Sequence, residues 1–376
     1  MSALRTVRIA LLTYSTKPRG SVVHTLALAE ALAAQGAEVT VWTLGRGSDS
    51  EFFRPVDPAV RVRVVPFPDG PDGEGVGERV LRSVATMREA LGENTAEYDI
   101  VHAQDCISAN AAIRAGAPCV RTVHHIDHFT TPELAACHER AITNPRAHVC
   151  VSGSVAKELA DGWGIKAAVI PNGVAYQRFA ETDPVARQRW KQRLGRYVLT
   201  VGGIEPRKGS LDLLEAYAQL RTVRPDVALV VAGGETLFDY REYRAQWDAR
   251  VAELDLEPVV LGPVLDDELP ALVAAADVFA FPSVKEGFGL AAMEALAAGV
   301  PLVVRDLPVM REIFTDAARF FDSPADLADE LDEALDDGDD ADTHRDVGRA
   351  LAARHTWQAA AAAHLAFYED AVLGRS

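Results

Sequence analysis

Residues 281–305, FPSVKEGFGLAAMEALAAGVPLVVR, constrain the fold more than any other stretch of the chain. Phe281-Pro282-Ser283 ends one apolar run, and Pro301 opens the next, Leu302-Val303-Val304. Short apolar runs bounded by turn residues suit strands buried on both faces. Between them, Leu290 to Ala298 consists of strong helix formers, and Gly299 stands where a C-cap glycine belongs. Strand, loop, helix and strand in so few residues make a crossover unit. Because the alternation recurs along the chain, it predicts an α/β protein with parallel sheets covered by helices.

At 376 residues the chain is long enough for two domains, each with its own core. In the first half the pattern predicts strands at Val7 to Tyr14, Val39 to Leu44, Asp99 to Gln104, Val120 to His124, His148 to Ser152 and Ala168 to Pro171. A helix is expected from Val22 to Gln35, and Pro68 to Gly77 reads as a polar glycine-rich loop. Pro171-Asn172-Gly173-Val174 reads as the closing turn. The second half repeats the scheme with strands at Tyr197 to Val201, Val227 to Ala232, Val259 to Leu261, Asp277 to Phe281, Leu302 to Arg305 and Arg319 to Phe321. Its helices are expected over Leu211 to Arg221, Tyr240 to Glu253, Asp266 to Ala275 and Leu290 to Ala298, with a C-terminal helix from Thr356 to Val372. The prediction is two Rossmann-like domains, 1–175 and 176–355, followed by the C-terminal segment 356–376.

Composition narrows the function. Hydrophobic residues make up 48% and charged residues 25%, an ordinary globular balance. No apolar run reaches transmembrane length, and the N-terminus enters a strand rather than a signal-peptide core, so a cytoplasmic location is expected. Cys106, Cys119, Cys137 and Cys150 lack Cys-x2-Cys spacing and read as reduced thiols in or beside the core. A formal net charge of −17 argues against nucleic acid and, without a local basic patch, against an anionic lipid surface. The basic helix Ala186 to Leu194 reads as a solvated helix beside the linker in preference to a membrane patch. The acidic run Asp326 to Asp342 reads as a solvated helix face and loop, because it lacks the oxygen-ligand spacing of a metal loop. Lysine occurs only at positions 17, 157, 166, 191, 208 and 285, an arginine bias that suits a GC-rich bacterial genome.

Chemistry concentrates where the central stretch begins. Glu286 lies in the loop and Glu294 one turn inside the helix, while Gly287 and Gly289 flank Phe288 and let a ligand approach the amides of Phe288 to Leu290. A helix N-terminus favours phosphate, and carboxylates accept sugar hydroxyls. A diphosphate on the amides with a hydroxyl on each glutamate is one coherent nucleotide-sugar site. The competing reading is a plain turn and two glutamates that favour the helix dipole. Upstream, Arg207 and Lys208 follow a strand and precede a helix, which suits a diphosphate whose charge grows as it leaves. A merely exposed basic pair is the alternative.

Glu286-x7-Glu294 within EGFGLAAMEALAAGVP, preceded by Val201-Gly202-Gly203-Ile204-Glu205-Pro206-Arg207-Lys208-Gly209, resembles the donor-site signature of retaining GT-B glycosyltransferases, particularly glycosyltransferase family 4. The resemblance runs through the chain in element order. It implies a GT-B fold: two Rossmann-like doubly wound parallel-sheet domains facing a central cleft, with the C-terminal helix crossing back to the first. It implies a nucleotide-diphosphate sugar as donor, a UDP-sugar by default, with no cofactor and no metal, and a same-face reaction in which the leaving phosphate oxygen deprotonates the acceptor. Glu286 then holds hydroxyls of the transferred sugar and Glu294 the ribose. Gly262 and Val264 line the base pocket with Gly233 and Gly234, unless these are plain strand-end turns. Gly20 and Ser21 occupy the family's glycine pair, here with one glycine, on the acceptor side. Asp105 is a candidate for orienting the acceptor.

Within the same resemblance, His124 or its neighbour His125 meets the donor sugar. Zinc ligation by His124, Asp127 and His128, or a core histidine bonded to backbone, are the rival readings. At Gly203 the chain departs from the family, where arginine is usual. A nucleotide-sugar epimerase on the same scaffold and a degenerate sugar-nucleotide-binding protein are the rival functions. No Gly-x-Gly-x-x-Gly follows either first strand, which disfavours a dinucleotide oxidoreductase. No Ser-His-Asp or Cys-His arrangement is evident, and both glutamates sit on one phosphate-binding element, which disfavours a two-carboxylate hydrolase.

Overall fold

The computed structural model describes residues 6–127, 129, 131–233, 240–336 and 339–374. The chain divides into two compact units, Met1–Gly173 with Trp357–Ser376, and Val174–Thr356. His128 and Gly234, which the sequence reading singled out, lie outside the described residues.

The first unit runs β1 (Arg8–Leu12), α1 (Gly20–Ala34), β2 (Glu38–Arg46), β3 (Arg61–Phe67), α2 (Val76–Leu91), β4 (Ile100–Ala103), α3 (Cys106–Arg114), β5 (Cys119–Val123), α4 (Pro132–Thr143), β6 (Ala147–Cys150), α5 (Gly153–Trp163) and β7 (Ala168–Val169). Its parallel sheet has the order β3-β2-β1-β4-β5-β6-β7, with Ile9 registered against Val39 on one side and Ile100 on the other. Ile9, Leu11 and Leu12 are fully buried, as a central parallel strand covered on both faces requires. The sequence pattern does not single out β3. Its RVRVVPF alternates arginine with valine and contains Pro66, so it forms no continuous apolar run. The strand lies at the sheet edge, where charge and proline are tolerated and discourage further pairing.

The second unit comprises α6 (Tyr176–Ala180), α7 (Pro184–Leu194), β8 (Arg196–Val201), α8 (Ser210–Val223), β9 (Val227–Ala232), α9 (Arg241–Glu253), β10 (Val259–Gly262), α10 (Leu269–Ala275), β11 (Val278–Phe281), α11 (Leu290–Ala297), β12 (Leu302–Arg305), α12 (Pro308–Phe314), β13 (Arg319–Phe321), α13 (Pro324–Leu335) and α14 (Asp339–Arg354). Its sheet is again parallel, in the order β10-β9-β8-β11-β12-β13. The basic helix α7 buries none of its side chains, and the Asp183 carboxylate accepts from the amides of Val185 and Ala186 at its start. The acidic stretch is more than a solvated face, because α13 buries Leu327, Ala328, Leu331, Ala334 and Leu335 against the sheet and α8. Among the described residues, no helix is long and apolar enough to cross a membrane.

The chain then returns to the first unit as α15 (Trp357–Phe367), which continues as a wider π-helical turn over Tyr368–Leu373. This segment packs on α1 and buries Trp357, Ala360, Ala361, His364 and Tyr368. Polar groups specify its seat. His102 Nδ1 lies 2.7 Å from the Tyr368 hydroxyl, and its Nε2 lies 2.7 Å from Thr122 Oγ1. His24 Nδ1 meets Asn172 Oδ1 at 2.9 Å, and the His24 ring stands edge-on to His124 with centroids 4.7 Å apart. The His364 ring centroid is 5.7 Å from that of His102. Burial holds these imidazoles neutral: it pulls His24 down to about 3, His364 to about 4, and His102 and His124 well below the ordinary histidine range.

In the unfolded chain these histidines take up protons near pH 6.5. Stability should therefore be complete above that pH and fall as the pH drops toward 4, by about 1.4 kcal/mol per pH unit for each histidine kept neutral. The urea midpoint of the first unit's transition should decline steadily between pH 7 and 5. A flat midpoint over that range would show that the cluster does not remain neutral.

Candidate functional site

Two loops at strand ends build the site in the second unit. After β8, Gly202 N–H donates to Ala232 O at 2.8 Å, and the chain turns through a 3-10 segment, Pro206–Lys208, into α8. After β11, the segment from Pro282 to Gly289 leads into α11. The loops touch directly. Val284 N–H donates to Arg207 O at 2.9 Å, and Arg305 Nε donates to Pro282 O at 3.1 Å. Gly209 has φ +64, and a Cβ there would stand 2.1 Å from Pro282 O, so only glycine permits both the turn and the approach. Gly289, the N-cap of α11 with φ +91, has more room, since a Cβ there would stand 3.1 Å from the Phe314 ring, and it is the left-handed φ that favours glycine.

This contact brings three predicted residues together. Glu286 Oε1 accepts from Arg207 Nη1 at 3.0 Å and from Lys208 Nζ at 2.5 Å. Arg207 also donates from Nη2 to Glu205 Oε1 at 3.2 Å, so its fork spans two carboxylates. Glu205 is only 6% exposed and was given no role by the sequence reading. Its place directly before Pro206-Arg207-Lys208 was the available signal. The Lys208 ammonium lies 5.1 Å from the centre of the Phe281 ring. Burial pulls Lys208 below its ordinary value, with the Glu286 charge opposing.

Glu294 stands apart from that group. Burial pushes its carboxyl up to about 7, against the nearby Arg178 cation and with the help of Asp266. Arg178 from α6 pairs with Asp266, in the loop after β10, at 2.8 Å. Gly262, with φ +68, accepts from Gly233 N–H at 2.9 Å, and half-buried Val264 follows in the same loop. Gly203 carries no side chain into a small pocket walled by Thr200, Gly202, Lys208, Ser210 and Trp247. Phe288 is buried, its ring edge-on to His355 with centroids 5.7 Å apart, while Gly287 and Leu290 complete the loop and the first turn of α11.

In the first unit, His124 Nε2 lies 3.2 Å from Gln104 Oε1, and His125 Nε2 pairs with Asp127 Oδ2 at 3.0 Å. Among the described residues, no three His, Cys, Asp or Glu side chains gather as metal ligands would. Asp105, the candidate for orienting the acceptor, is bonded to backbone. Its Oδ1 accepts from Ser108 N–H at 2.8 Å as the N-cap of α3, and its Oδ2 accepts from Tyr14 N–H at 3.0 Å. Both oxygens serve backbone, so Asp105 is a structural cap that also fixes the end of β1. Gly20 and Ser21 form the first turn of α1, whose N-cap, Arg19, contributes no side-chain cap.

Comparison with known proteins follows this geometry. The family model described as Glycosyl transferases group 1 matches residues 186–351, and the one described as Glycosyltransferase Family 4 matches residues 18–178. A D-inositol 3-phosphate glycosyltransferase of Pseudarthrobacter chlorophenolicus is 29% identical over 97% of this chain and 96% of its own length. A phosphatidyl-myo-inositol mannosyltransferase of Mycobacterium tuberculosis is 29% identical over 94% and 93%. Among solved structures, sucrose-phosphate synthase from Thermosynechococcus elongatus superimposes with a TM-score of 0.81 at 20% identity, covering 98% of this chain and 100% of that one. Anabaena HepE in complex with UDP and glucose gives a TM-score of 0.74 at 21% identity, covering 97% and 100%.

Gly209→Ala should destabilise the second unit by about 1–3 kcal/mol, from the left-handed φ together with the blocked approach to Pro282. Urea unfolding measures it. An unchanged midpoint would mean that the two loops are not held by this contact.

Proposed function

The chain belongs to glycosyltransferase family 4 and has the GT-B fold, and from that premise we propose that it moves a sugar from a nucleotide-diphosphate sugar to an acceptor hydroxyl with retention at the anomeric carbon. The observation that carries this reading is the convergence of Arg207 and Lys208 on one oxygen of Glu286, beside the N-terminus of α11. With two cations against Glu205 and Glu286, the cluster is neutral as it stands. An arriving diphosphate competes with Glu286 for both cations. Once displaced, Glu286 is available to accept from hydroxyls of the transferred sugar, and the amides of Phe288 to Leu290 receive phosphate oxygens.

In the transfer step the bond from the anomeric carbon to the phosphate oxygen breaks. The acceptor oxygen bonds to that carbon on the same face, and its proton passes to the departing phosphate oxygen. Arg207 and Lys208 stabilise the charge that grows on the diphosphate, so the reading requires neither a separate base nor a metal. Glu294 accepts from the ribose hydroxyls. UDP is the default base carrier, supported by the UDP complexes of the HepE structures, which share the fold. Incubating donor without acceptor separates transfer from epimerisation: an epimerised donor would replace this reading.

Lys208→Ala and Glu294→Ala should each weaken donor or transition-state binding by at least about 1–3 kcal/mol. Near-normal turnover by both variants would overturn the site assignment. A thermal-shift panel of UDP, GDP, ADP and TDP, with and without chelator, should show one selective nucleotide and no effect of the chelator. Loss of activity in chelator with rescue by zinc would restore the metal reading of the histidine run.

Glu294 titrates near 7, and its ionised form is the better acceptor for two hydroxyls. Nucleotide affinity should therefore rise between pH 6 and 8, and this rise should vanish in Glu294→Gln. Identical pH profiles for the two proteins would remove Glu294 from the ribose.

A further inference from the structure

The transferase reading gives the cysteines no chemistry, yet two of them meet where α3 packs on α4. Cys106 opens α3 directly after the Asp105 cap, and Cys137 lies in the middle of α4. One buried side chain clips them together. Asn110, 1% exposed, donates from Nδ2 to Cys106 O at 2.8 Å, to Cys137 O at 2.7 Å and to Cys137 Sγ at 3.3 Å. The Cys137 thiol in turn points at Cys106 O, 3.6 Å away, across 31 positions of sequence.

The surroundings favour an anionic sulfur. Arg140, one turn beyond Cys137, donates from Nε to Asn110 Oδ1 at 2.9 Å and so orients the amide toward the cysteines. Arg121, on β5 between Ala103 and His148, is 7% exposed, and its Nε and Nη1 are buried with no acceptor among the described residues. Buried donors in folded proteins are almost always paired. Hydrogen bonding with the Cys106 thiol lowers Cys137, and the Arg140 and Arg121 cations add to this, while burial and the Asp105 charge oppose. The same bond to Cys137, burial and Asp105 push Cys106 up, with Arg121 opposing. Thiol reactivity requires thiolate character and access. Cys106 supplies the access, being partly exposed. Cys119 and Cys150 have neither: both are fully buried in strands, and burial pushes each up to about 12.

We propose that Cys106 and Cys137 are a redox modification site at which a hydroperoxide closes a disulfide between α3 and α4. One thiolate attacks the terminal oxygen of the hydroperoxide. The O–O bond breaks, an alcohol (or water) leaves with the thiol's proton, and the sulfur becomes a sulfenic acid. The second sulfur, as thiolate, attacks the sulfenic sulfur, the S–O bond breaks, and hydroxide leaves to take up the second proton as water. Two thiols thus give up two electrons and two protons, and the hydroperoxide is reduced to alcohol and water. The bond takes the Cys137 sulfur off the Cys106 carbonyl and ties down the start of α3. That start lies at the edge of the sheet where doubly wound folds bind ligands. The site does not depend on the transferase reading.

The test treats the full chain, reduced and freed of reductant, with hydrogen peroxide at pH 7, then alkylates the remaining thiols and maps peptides by mass spectrometry. The expected result is loss of two of the four thiols, with one cross-linked peptide pair joining Cys106 to Cys137 and lighter by two hydrogen atoms. Dithiothreitol should reverse it, and Cys119 and Cys150 should be alkylated only after unfolding. In Cys137→Ser, the Cys106 sulfur should advance to the sulfinic acid, because no second thiol intercepts it. A wild type in which Cys106 itself advances to the sulfinic acid without cross-linking overturns the site. So does a wild type in which Cys119 or Cys150 is oxidised as fast as Cys106, or in which all thiols survive the peroxide. These outcomes are read on the wild-type chain, so they hold whether or not the serine variant folds.

Discussion

The second unit depends on one close approach, Gly209 against the carbonyl of Pro282. The loop after β8 and the loop after β11 contribute opposite charges from distant parts of the sequence, and neither is a site by itself. Pressed together, they set Lys208 and Arg207 on a single oxygen of Glu286 in a half-buried position. Charges removed from water need partners, and removing one partner costs more than the pair contributes. The apposition therefore stabilises the second unit only while all its members are present, and it orders the groups that phosphate chemistry requires. Stability and site share one contact.

Much of that half was legible because its determinants are local. The run from Phe281 to Arg305 carries its own stops, Pro282 and Pro301, and its own cap, Gly299, so strand, loop and helix follow without knowledge of the rest. Glu286 and Glu294 could be placed relative to a helix N-terminus for the same reason. The role of Glu205 was not legible. A carboxylate beside a basic pair reads as surface charge until the fold shows it 6% exposed and bonded to Arg207. The capping role of Asp105 was hidden in the opposite direction: a strand-end carboxylate suggests chemistry, and only the fold shows it bonded to the amides of Ser108 and Tyr14. Residue type and strand-end position do not separate these two cases. Hydrogen-bond partners do.

The first unit hides more because its polar groups meet across long sequence distances. His24, His102, His124 and His364 come from α1, β4, the end of β5 and the returning C-terminal helix, and no spacing rule links them. Burial forces them to remain neutral, and each ring then offers one donor and one acceptor, which makes the seat of the C-terminal segment directional rather than merely apolar. The edge strand β3 was obscured by the arginines and proline that suit it to an edge.

The two basic groups of this acidic chain follow different electrostatic logics. In the second unit each cation has a carboxylate, so the cluster is neutral as it stands. On the donor-site reading proposed above, an anion would have to displace Glu286 to enter, and with glycine at position 203 that exchange would rest on Arg207 and Lys208. In the first unit the charges are mixed around Arg46: the Tyr14 hydroxyl and the arginines Arg79, Arg19 and Arg82 act on it, and the Glu74 carboxylate feels both Arg46 and Arg79, so this group balances its charge within the fold.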